Sequence, residues 1–226
     1  MMRSNPGESP RQRAKSRLVR AIHQAYPIPK PTKVNSSRER DHFIWDALLL
    51  SFSTWGGSRG DQLRHDPQGA FGALEACGSV GQCEKRISDA LVAARVRWAA
   101  MKVPLLLEDF QMIVDAGGPS AMKRHLNLEK GCDAKIKFLR KFCGVGPKYA
   151  RNMMMDVYHP DFWESIAVDT RVQHVLDALE LPFRGYGEKE EFLLEVAHEA
   201  GLNGWQLDRL IYNFNDAVLD ALNEKP

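Results

Sequence analysis

The sequence Phe142-Cys143-Gly144-Val145-Gly146-Pro147-Lys148-Tyr149-Ala150 lies between two stretches whose residues have helical periodicity. Asp133 can cap the helix before it, in which Ile136 pairs with Leu139 and Phe138 with Phe142. Gly144 and Gly146 predict a tight turn, because glycine adopts backbone angles that are closed to other residues. Pro147 suits the first position of a second helix, expected over residues 148–157 and ended by His159-Pro160.

Two helices joined by a glycine–apolar–glycine turn form a helix-hairpin-helix pattern. The main-chain N–H groups at the start of the second helix have no partner within that helix, and they form a natural site for phosphate. A nucleic acid backbone is the ligand that this arrangement favours. Gly-Val-Gly-Pro-Lys alone does not indicate catalysis, since many hairpins without catalytic activity contain it.

A second motif follows the hairpin. Asp169 lies 21 residues beyond Lys148, in the sequence Val168-Asp169-Thr170-Arg171-Val172. The pair of motifs resembles the helix-hairpin-helix DNA glycosylase superfamily, the endonuclease III-like enzymes. The signature of that family is a Gly-Val-Gly-x-Lys hairpin followed by a Val-Asp-Thr-x-Val segment. The match covers about residues 139–175, and a looser similarity of helix pattern extends from about Phe43 to the C-terminus.

The resemblance implies the removal of a base from DNA after the target nucleotide is swung out of the stack. It assigns Lys148 the role of a nucleophile that attacks C1′ of the sugar and forms a Schiff base, from which elimination can nick the strand. It assigns Asp169 the role of the carboxylate that stabilises positive charge on the sugar. The implied activity is a DNA glycosylase with associated AP lyase activity.

Other interpretations of the same residues stay open. Lys148 can contact a phosphate without catalysis, as in repair and recombination hairpins, and the chain is then a non-catalytic DNA-binding protein. Asp169 can simply cap the helix that follows it. A monofunctional glycosylase in which Asp169 activates water is a third possibility. The separation of the two residues exceeds the usual family spacing by a few residues, which the segment 158–163 can absorb.

The resemblance also implies contacts and ligands around the hairpin. The residues expected to contact DNA are Gly144, Val145, Gly146, Pro147, Tyr149 and Arg151. A monovalent cation, Na⁺ or K⁺, is expected on the main-chain carbonyls of Arg140, Phe142 and Val145. The iron–sulfur cluster of many family members should be absent, because the chain has no cysteine after Cys143. We expect that no other cofactor is required.

Helical periodicity runs through most of the chain and no strand pattern is found, so we expect an all-α fold. The resemblance implies the two-lobed glycosylase fold, with a cleft for the flipped nucleotide. We expect a disordered basic tail over residues 1–14, a central lobe over 39–158, and a second lobe formed by 15–38 with 159–226. The predicted helices cover residues 16–26, 41–52, 71–76, 85–100, 105–115, 133–142, 148–157, 171–179, 188–200 and 204–222.

Two tryptophans bear on the predicted core and on DNA contact. The loop after the first helix of the central lobe supplies a gap-filling side chain in glycosylases of this type, and here it contains Ser53, Thr54 and Trp55. We interpret Trp55 as a core aromatic residue rather than as the side chain that fills the gap left by the flipped base. Trp98 continues the apolar stripe of Ile87 and Leu91 and should point inward. No motif identifies which damaged base is excised.

The net charge of +2 conceals a basic N-terminus. Residues 1–40 contain ten Lys and Arg against two Glu, a net of +8, so the rest has 21 basic and 27 acidic residues, a net of −6. Such an arm can hold nucleic acid non-specifically, or it can be a solvated tail.

No apolar run in the sequence could span a bilayer or serve as a secretory signal. The four cysteines form no Cys-x-x-Cys pair, which suits a reducing compartment. We therefore expect an intracellular monomer, in the cytoplasm and nucleoid or in a nucleus, acting on double-stranded DNA with a damaged or mismatched base or an abasic site.

Overall fold

A computed structural model describes residues 9–25, 40–57, 63 and 66–224, and all regular secondary structure within them is helical. The prediction of an all-α fold is confirmed. A short 3-10 helix covers Pro160–Phe162. The α-helices are α1 Pro10–Ala25, α2 Phe43–Thr54, α3 Pro67–Glu75, α4 Val80–Ala93, α5 Ala99–Asp115, α6 Pro119–Leu128, α7 Gly131–Leu139, α8 Pro147–Met155, α9 Thr170–Ala178, α10 Tyr186–Glu199, α11 Gly204–Asn213 and α12 Asn215–Asn223. None of these helices is both long enough and apolar enough to cross a membrane.

The chain divides into two compact units. The hairpin unit is Asn35–Met153, and the terminal unit combines Met1–Val34 with Met154–Pro226. The division falls within α8, whereas the sequence predicted lobe boundaries at residues 39 and 158.

The hairpin unit is built on α2, which packs against α3, α5 and α6. Its aromatic core brings the rings of Phe71 and Phe110 to 4.9 Å, with Trp45 edge-on to both. A mainly apolar cavity of about 480 Å³ adjoins this core and is lined by Trp45, Leu91 and Leu106 among others. None of the predicted site residues lines the cavity.

The terminal unit has a separate apolar core. In it α1 packs on α10 and α12, while α9 packs on α11 and α12. Apolar side chains at helical spacing fill the space between these helices, which is why each helix forms with one buried face. The fully or almost fully buried members include Leu18, Ile22, Val175, Phe192, Val196, Leu207, Ile211 and Val218.

Helix α1 begins at Pro10, inside the stretch predicted to be disordered. Leu18 and Ile22 are buried in the core of the terminal unit, and two of the arm's cations pair with acidic residues of α10. Arg11 lies 2.8 Å from Glu195 and Lys15 lies 3.0 Å from Glu199. These two charges of the basic arm are therefore engaged within the protein. The rest of the predicted tail, residues 1–8, lies outside the described residues.

The predicted helix over 85–100 is wrong in its second half. Helix α4 ends at Ala93, and Arg95 and Trp98 both have positive φ, at 55° and 58°. Trp98 is the residue before α5 and is 57% exposed, so it does not point inward as the stripe predicted. Helix α6 was not predicted, although it begins at Pro119 and proline is common at the first position of a helix.

Two further local predictions need correction. The helix predicted over 204–222 is interrupted at Phe214, whose φ of −128° is not helical, and it forms α11 and α12. Lys130 rather than Asp133 precedes α7, so Asp133 lies in the first turn and is not the cap. Asn203 does cap α11, since its side chain accepts from the N–H of Gln206 in a full capping box.

Candidate functional site

The hairpin loop, residues 140–146, connects α7 to α8. Gly144 has a φ of +71°, which explains the need for glycine there. The loop is closed by a hydrogen bond from the N–H of Val145 to the carbonyl of Phe142, at 3.3 Å. Gly146 was predicted to need a special backbone angle as well. It has no positive φ, and a Cβ at this position would meet only open space.

A buried carboxylate anchors this loop from α5. Asp109 is inaccessible to solvent, and its Oδ1 accepts a hydrogen bond from the N–H of Cys143 at 2.6 Å. Its second oxygen, Oδ2, is buried and no donor among the described residues reaches it. Burial raises the pKa of Asp109 to about 8. Burial likewise raises the pKa of the Cys143 thiol to about 12, so this cysteine is a packed thiol and not a thiolate ligand.

The glycine-rich segment after α2 packs against the same loop. The ring of Trp55 lies 3.5 Å from the position that a Cβ of Gly144 would occupy. Lys102, which is inaccessible to solvent, donates from Nζ to the carbonyls of Phe52 and Trp55, each at 2.8 Å. Its ammonium group therefore caps the C-terminal end of α2. Trp55, which was predicted to be a core aromatic residue, is only half-buried.

An exposed indole adjoins this segment. The Trp98 ring covers Gly56, where a Cβ would overlap it, and Gly56 has a φ of +81°. Arg97 donates to the carbonyl of Gly56 at 3.1 Å. The chain between Asp89 and Glu108 has no acidic residue, and its two exposed cations are Arg95 and Arg97. Gly56 and Trp98 thus form a surface with basic and aromatic character within the hairpin unit.

Lys148 lies in the first turn of α8, directly after the hairpin loop. Its Nζ is 4.1 Å from the centre of the Tyr149 ring, a cation–π contact, and both side chains are partly exposed. Arg151 donates to the carbonyl of Pro147 at 3.1 Å. The side chain of Val145 is buried, so only its main chain can contact a ligand. The first five residues of α8 therefore present one amine, one aromatic ring and one guanidinium group.

The carbonyls expected to hold a monovalent cation all belong to the hairpin loop. They are the main-chain oxygens of Arg140, Phe142 and Val145, and that of Phe142 already accepts from Val145. A carbonyl oxygen has two lone pairs, so this bond leaves room for a cation. Among the described residues, no group of three His, Cys, Asp or Glu side chains forms a metal site. All four cysteines are free thiols.

Asp169 lies in the terminal unit, at the start of α9. Its Oδ1 accepts a hydrogen bond from the N–H of Val172 at 2.9 Å, so it caps the helix. No donor among the described residues bonds the other carboxylate oxygen, and the side chain is partly exposed. The capping role is thus present, and it leaves one oxygen for another partner. His174 is exposed on the surface of α9.

The extended segment that precedes Asp169, residues 165–168, is held by side chains rather than by a sheet. The Tyr186 hydroxyl donates to the carbonyl of Ile166 at 2.7 Å and accepts from the N–H of Val168 at 3.0 Å. Glu190 accepts from the N–H of Ile166 at 3.1 Å. Because α10 supplies both side chains, the position of Asp169 depends on that helix.

A third side chain in this arrangement is Asp208 of α11. Its Oδ1 accepts from the N–H of Ala167 at 2.8 Å, and the residue is only 4% exposed. Arg209 Nε lies 3.5 Å from Asp208 Oδ2, and Arg209 Nη2 lies 3.1 Å from Asp156 Oδ1. The angles are not those of hydrogen bonds, so these pairs act mainly through charge. Burial raises the pKa of Asp208 to about 7.

The sequence predicted the hairpin residues and Asp169 as site residues, but it did not predict the side chains that hold them in place. The structure places Lys148 with the other hairpin residues in one unit and Asp169 in the other. The missed residues share a signal, since each is a charged residue on the apolar face of its helix. They are Lys102 and Asp109, in register with Leu106 and Ile113 of α5, and Asp208, beside Leu207 and Ile211 of α11.

Comparisons of the chain with protein-family models, with curated proteins and with solved structures gave no match.

Proposed function

We propose that this protein is a base-excision DNA glycosylase with associated AP lyase activity, of the helix-hairpin-helix superfamily that its motifs resemble. The observation that carries the proposal is the position of Lys148. It lies in the first turn of a helix, immediately after a glycine-containing loop whose Gly144 has a φ of +71°. An amine at this place can approach a nucleotide whose phosphates are held by the loop and the helix start.

The chemistry assigned to Lys148 is nucleophilic attack on C1′ of the damaged nucleotide. The neutral amine forms a bond to C1′ as the bond from C1′ to the base breaks, and the base takes up a proton as it leaves. One proton of the attached amine then passes to O4′ as the C1′–O4′ bond breaks, which opens the sugar and gives an iminium. The iminium loses a proton from C2′ as the C3′–O bond breaks and the 3′ phosphate leaves. In the structure the amine rests against Tyr149, so it must leave this ring to react. The contact with the Tyr149 ring thus stabilises the ammonium form of Lys148 between reactions.

The role assigned to Asp169 is electrostatic. As the base departs, positive charge develops on the sugar, and a carboxylate close to it lowers the barrier. Asp169 uses one oxygen for the helix cap and keeps the other for this task. The proposal requires that Lys148 and Asp169 reach the same nucleotide.

The DNA contact is supported by two features of the hairpin unit. Gly146 has ordinary backbone angles and open space around its Cβ position, so nothing in the described part of the chain requires glycine there. Close approach of a phosphate backbone supplies a reason for it. Trp98 with Arg97 adds an aromatic and cationic surface of the kind that contacts nucleic acid. A Na⁺ or K⁺ ion on the loop carbonyls would bridge to a phosphate.

The test is borohydride trapping on labelled duplexes that carry an abasic site, an oxidised pyrimidine, 8-oxoguanine, an alkylated purine or a mismatch. We expect a covalent adduct with at least one duplex for the wild type and none for Lys148→Gln. Lys141→Gln is the matched control, because Lys141 lies in the hairpin loop that precedes Lys148 and also contacts an aromatic ring, that of Phe138.

Each other outcome contradicts part of the proposal. Release of a base without an adduct would replace the amine mechanism with water activated by Asp169. Duplex binding without either product would make the hairpin a non-catalytic DNA-binding element. An adduct that persists in Lys148→Gln would assign the nucleophile to another residue.

A further inference from the structure

We propose that Asp208 is a positioning residue for Asp169. Asp208 holds the main chain that precedes Asp169 and adds a second carboxylate whose charge acts on Asp169. The inference rests on the proposed function for its kinetic consequence. Its structural basis lies wholly within the terminal unit.

Burial of the Asp208 carboxylate is unfavourable in free energy. Asp208 lies on the buried face of α11, where Leu207 and Ile211 are inaccessible to solvent. Burying a charge without full compensation is unfavourable, and an apolar residue here would serve packing as well or better. The carboxylate bonds the N–H of Ala167, two residues before Asp169. It thereby holds the segment from which the Asp169 side chain projects.

The hydrogen bond from Ala167 does not by itself explain why residue 208 is a charged aspartate. The amide oxygen of an asparagine would also accept a hydrogen bond from the N–H of Ala167. The charged groups that act on Asp208 are Arg209 and Asp156 of the neighbouring ion pairs, together with Asp169. Burial, with help from the charges of Asp169 and Asp156, raises the pKa of Asp208 to about 7, against the opposing effect of Arg209 and the Ala167 N–H. Asp208 and Asp169 are therefore electrostatically coupled.

The coupling has a consequence for excision. Above neutral pH, Asp208 is ionised and adds negative potential where the sugar becomes positive. Below neutral pH, it is protonated and holds the segment without contributing charge. The positive charge of Arg209 is present in either state and offsets part of the negative potential of the neighbouring carboxylates. The rate of base release should therefore increase as Asp208 ionises.

The experiment compares full-length wild type with Asp208→Asn, which keeps the size and the acceptor for Ala167 but loses the charge. We expect unchanged KM for the damaged duplex, and a kcat for base release that falls about tenfold above about pH 8 and much less below about pH 6. The pH dependence near pH 7 that is due to Asp208 disappears in the variant. Asp216→Asn, at an exposed site on α12, should behave as the wild type.

A second measurement does not depend on activity. In isotope-edited NMR of the aspartate carboxyls, we expect the Asp169 resonance to move as Asp208 titrates at about pH 7, and this movement to be absent in Asp208→Asn. An unchanged pH profile with unchanged kcat in a folded Asp208→Asn variant would overturn the proposal. If the wild type excises no base, the proposed function fails on its own, and the NMR titration then supports or overturns the coupling by itself.

Discussion

The carboxylate of Asp109 accepts a hydrogen bond from the main-chain N–H of Cys143 at 2.6 Å, so a buried side chain of α5 holds the hairpin loop in place. Because Asp109 bonds this loop, the stability of the loop should respond to the ionisation of Asp109. The loop contains three of the residues expected to contact DNA, which are Gly144, Val145 and Gly146.

The first prediction is a pH-dependent stability that originates at Asp109. Its pKa is about 8 in the folded protein, against an ordinary value of 3.8. A carboxyl with a raised folded pKa stabilises the fold below its unfolded pKa, and this contribution is lost as the pH rises through the folded value. Asp109→Asn keeps the acceptor for Cys143 and cannot ionise. We expect the free energy of unfolding of Asp109→Asn, relative to wild type, to rise by at least about 1 kcal/mol over this window.

Urea unfolding at a series of pH values measures this difference. The matched control is Asp115→Asn, at the exposed end of the same helix. A constant difference between Asp109→Asn and wild type would show that the pKa of Asp109 is not raised in the folded protein.

The second prediction concerns the cap of α2. Lys102→Met removes the ammonium that bonds two carbonyls, and each carbonyl left without a donor costs about 1–3 kcal/mol. We expect a clear decrease in Tm and a more mobile segment around Gly56. Lys85→Met serves as the comparison, because Lys85 forms only an exposed pair with Asp89 and should cost less than about 1 kcal/mol. Equal losses in the two variants would refute the capping role.

The third prediction separates two glycines of the hairpin loop. Gly144→Ala places a side chain at a φ of +71° and should cost about 1–2 kcal/mol. Gly146→Ala meets open space with ordinary backbone angles, so we expect it to fold as stably as the wild type. The proposed function predicts that Gly146→Ala nevertheless weakens duplex binding. Fluorescence anisotropy with labelled duplex tests this, and unchanged affinity would remove Gly146 from the DNA contact.

The fourth prediction divides the two roles of Asp169. Asp169→Ala loses the cap of α9 and should cost about 1 kcal/mol in stability. Asp169→Ser keeps a capping oxygen but has no carboxylate, so its stability should remain close to that of the wild type. The proposal predicts that both variants lose base release. Retained excision in Asp169→Ser would limit Asp169 to a structural role.

Local patterns predicted the features that depend on a few neighbouring residues. The all-α class, the helix start at Pro147 and the cap at Asn203 follow from periodicity and from the chemistry of helix ends. The break before Trp98 was not predicted from local patterns. Trp98 has a left-handed backbone conformation, and its ring contacts Gly56, which is far away in sequence. Helix α1 extends to Pro10 for a similar reason, because Glu195 and Glu199 pair with its cations.

The candidate site shows the same limit. Lys148 and Asp169 were predicted as site residues because their motifs are local. Asp109 and Asp208 support these motifs from helices that lie 34 and 41 residues away from the N–H groups they bond. Sequence alone does not specify such partners, although a charged residue on an apolar helix face marks where to look for them.

The central claim is that Lys148 forms a covalent bond to the sugar of a damaged nucleotide. The most direct measurement is mass spectrometry of the peptides released from the borohydride-reduced adduct of the wild-type protein. The account predicts that the deoxyribose remnant is found on Lys148, and that Lys148→Gln yields no adducted peptide under the same conditions. A remnant on another residue, or base release with no adducted peptide, would contradict it.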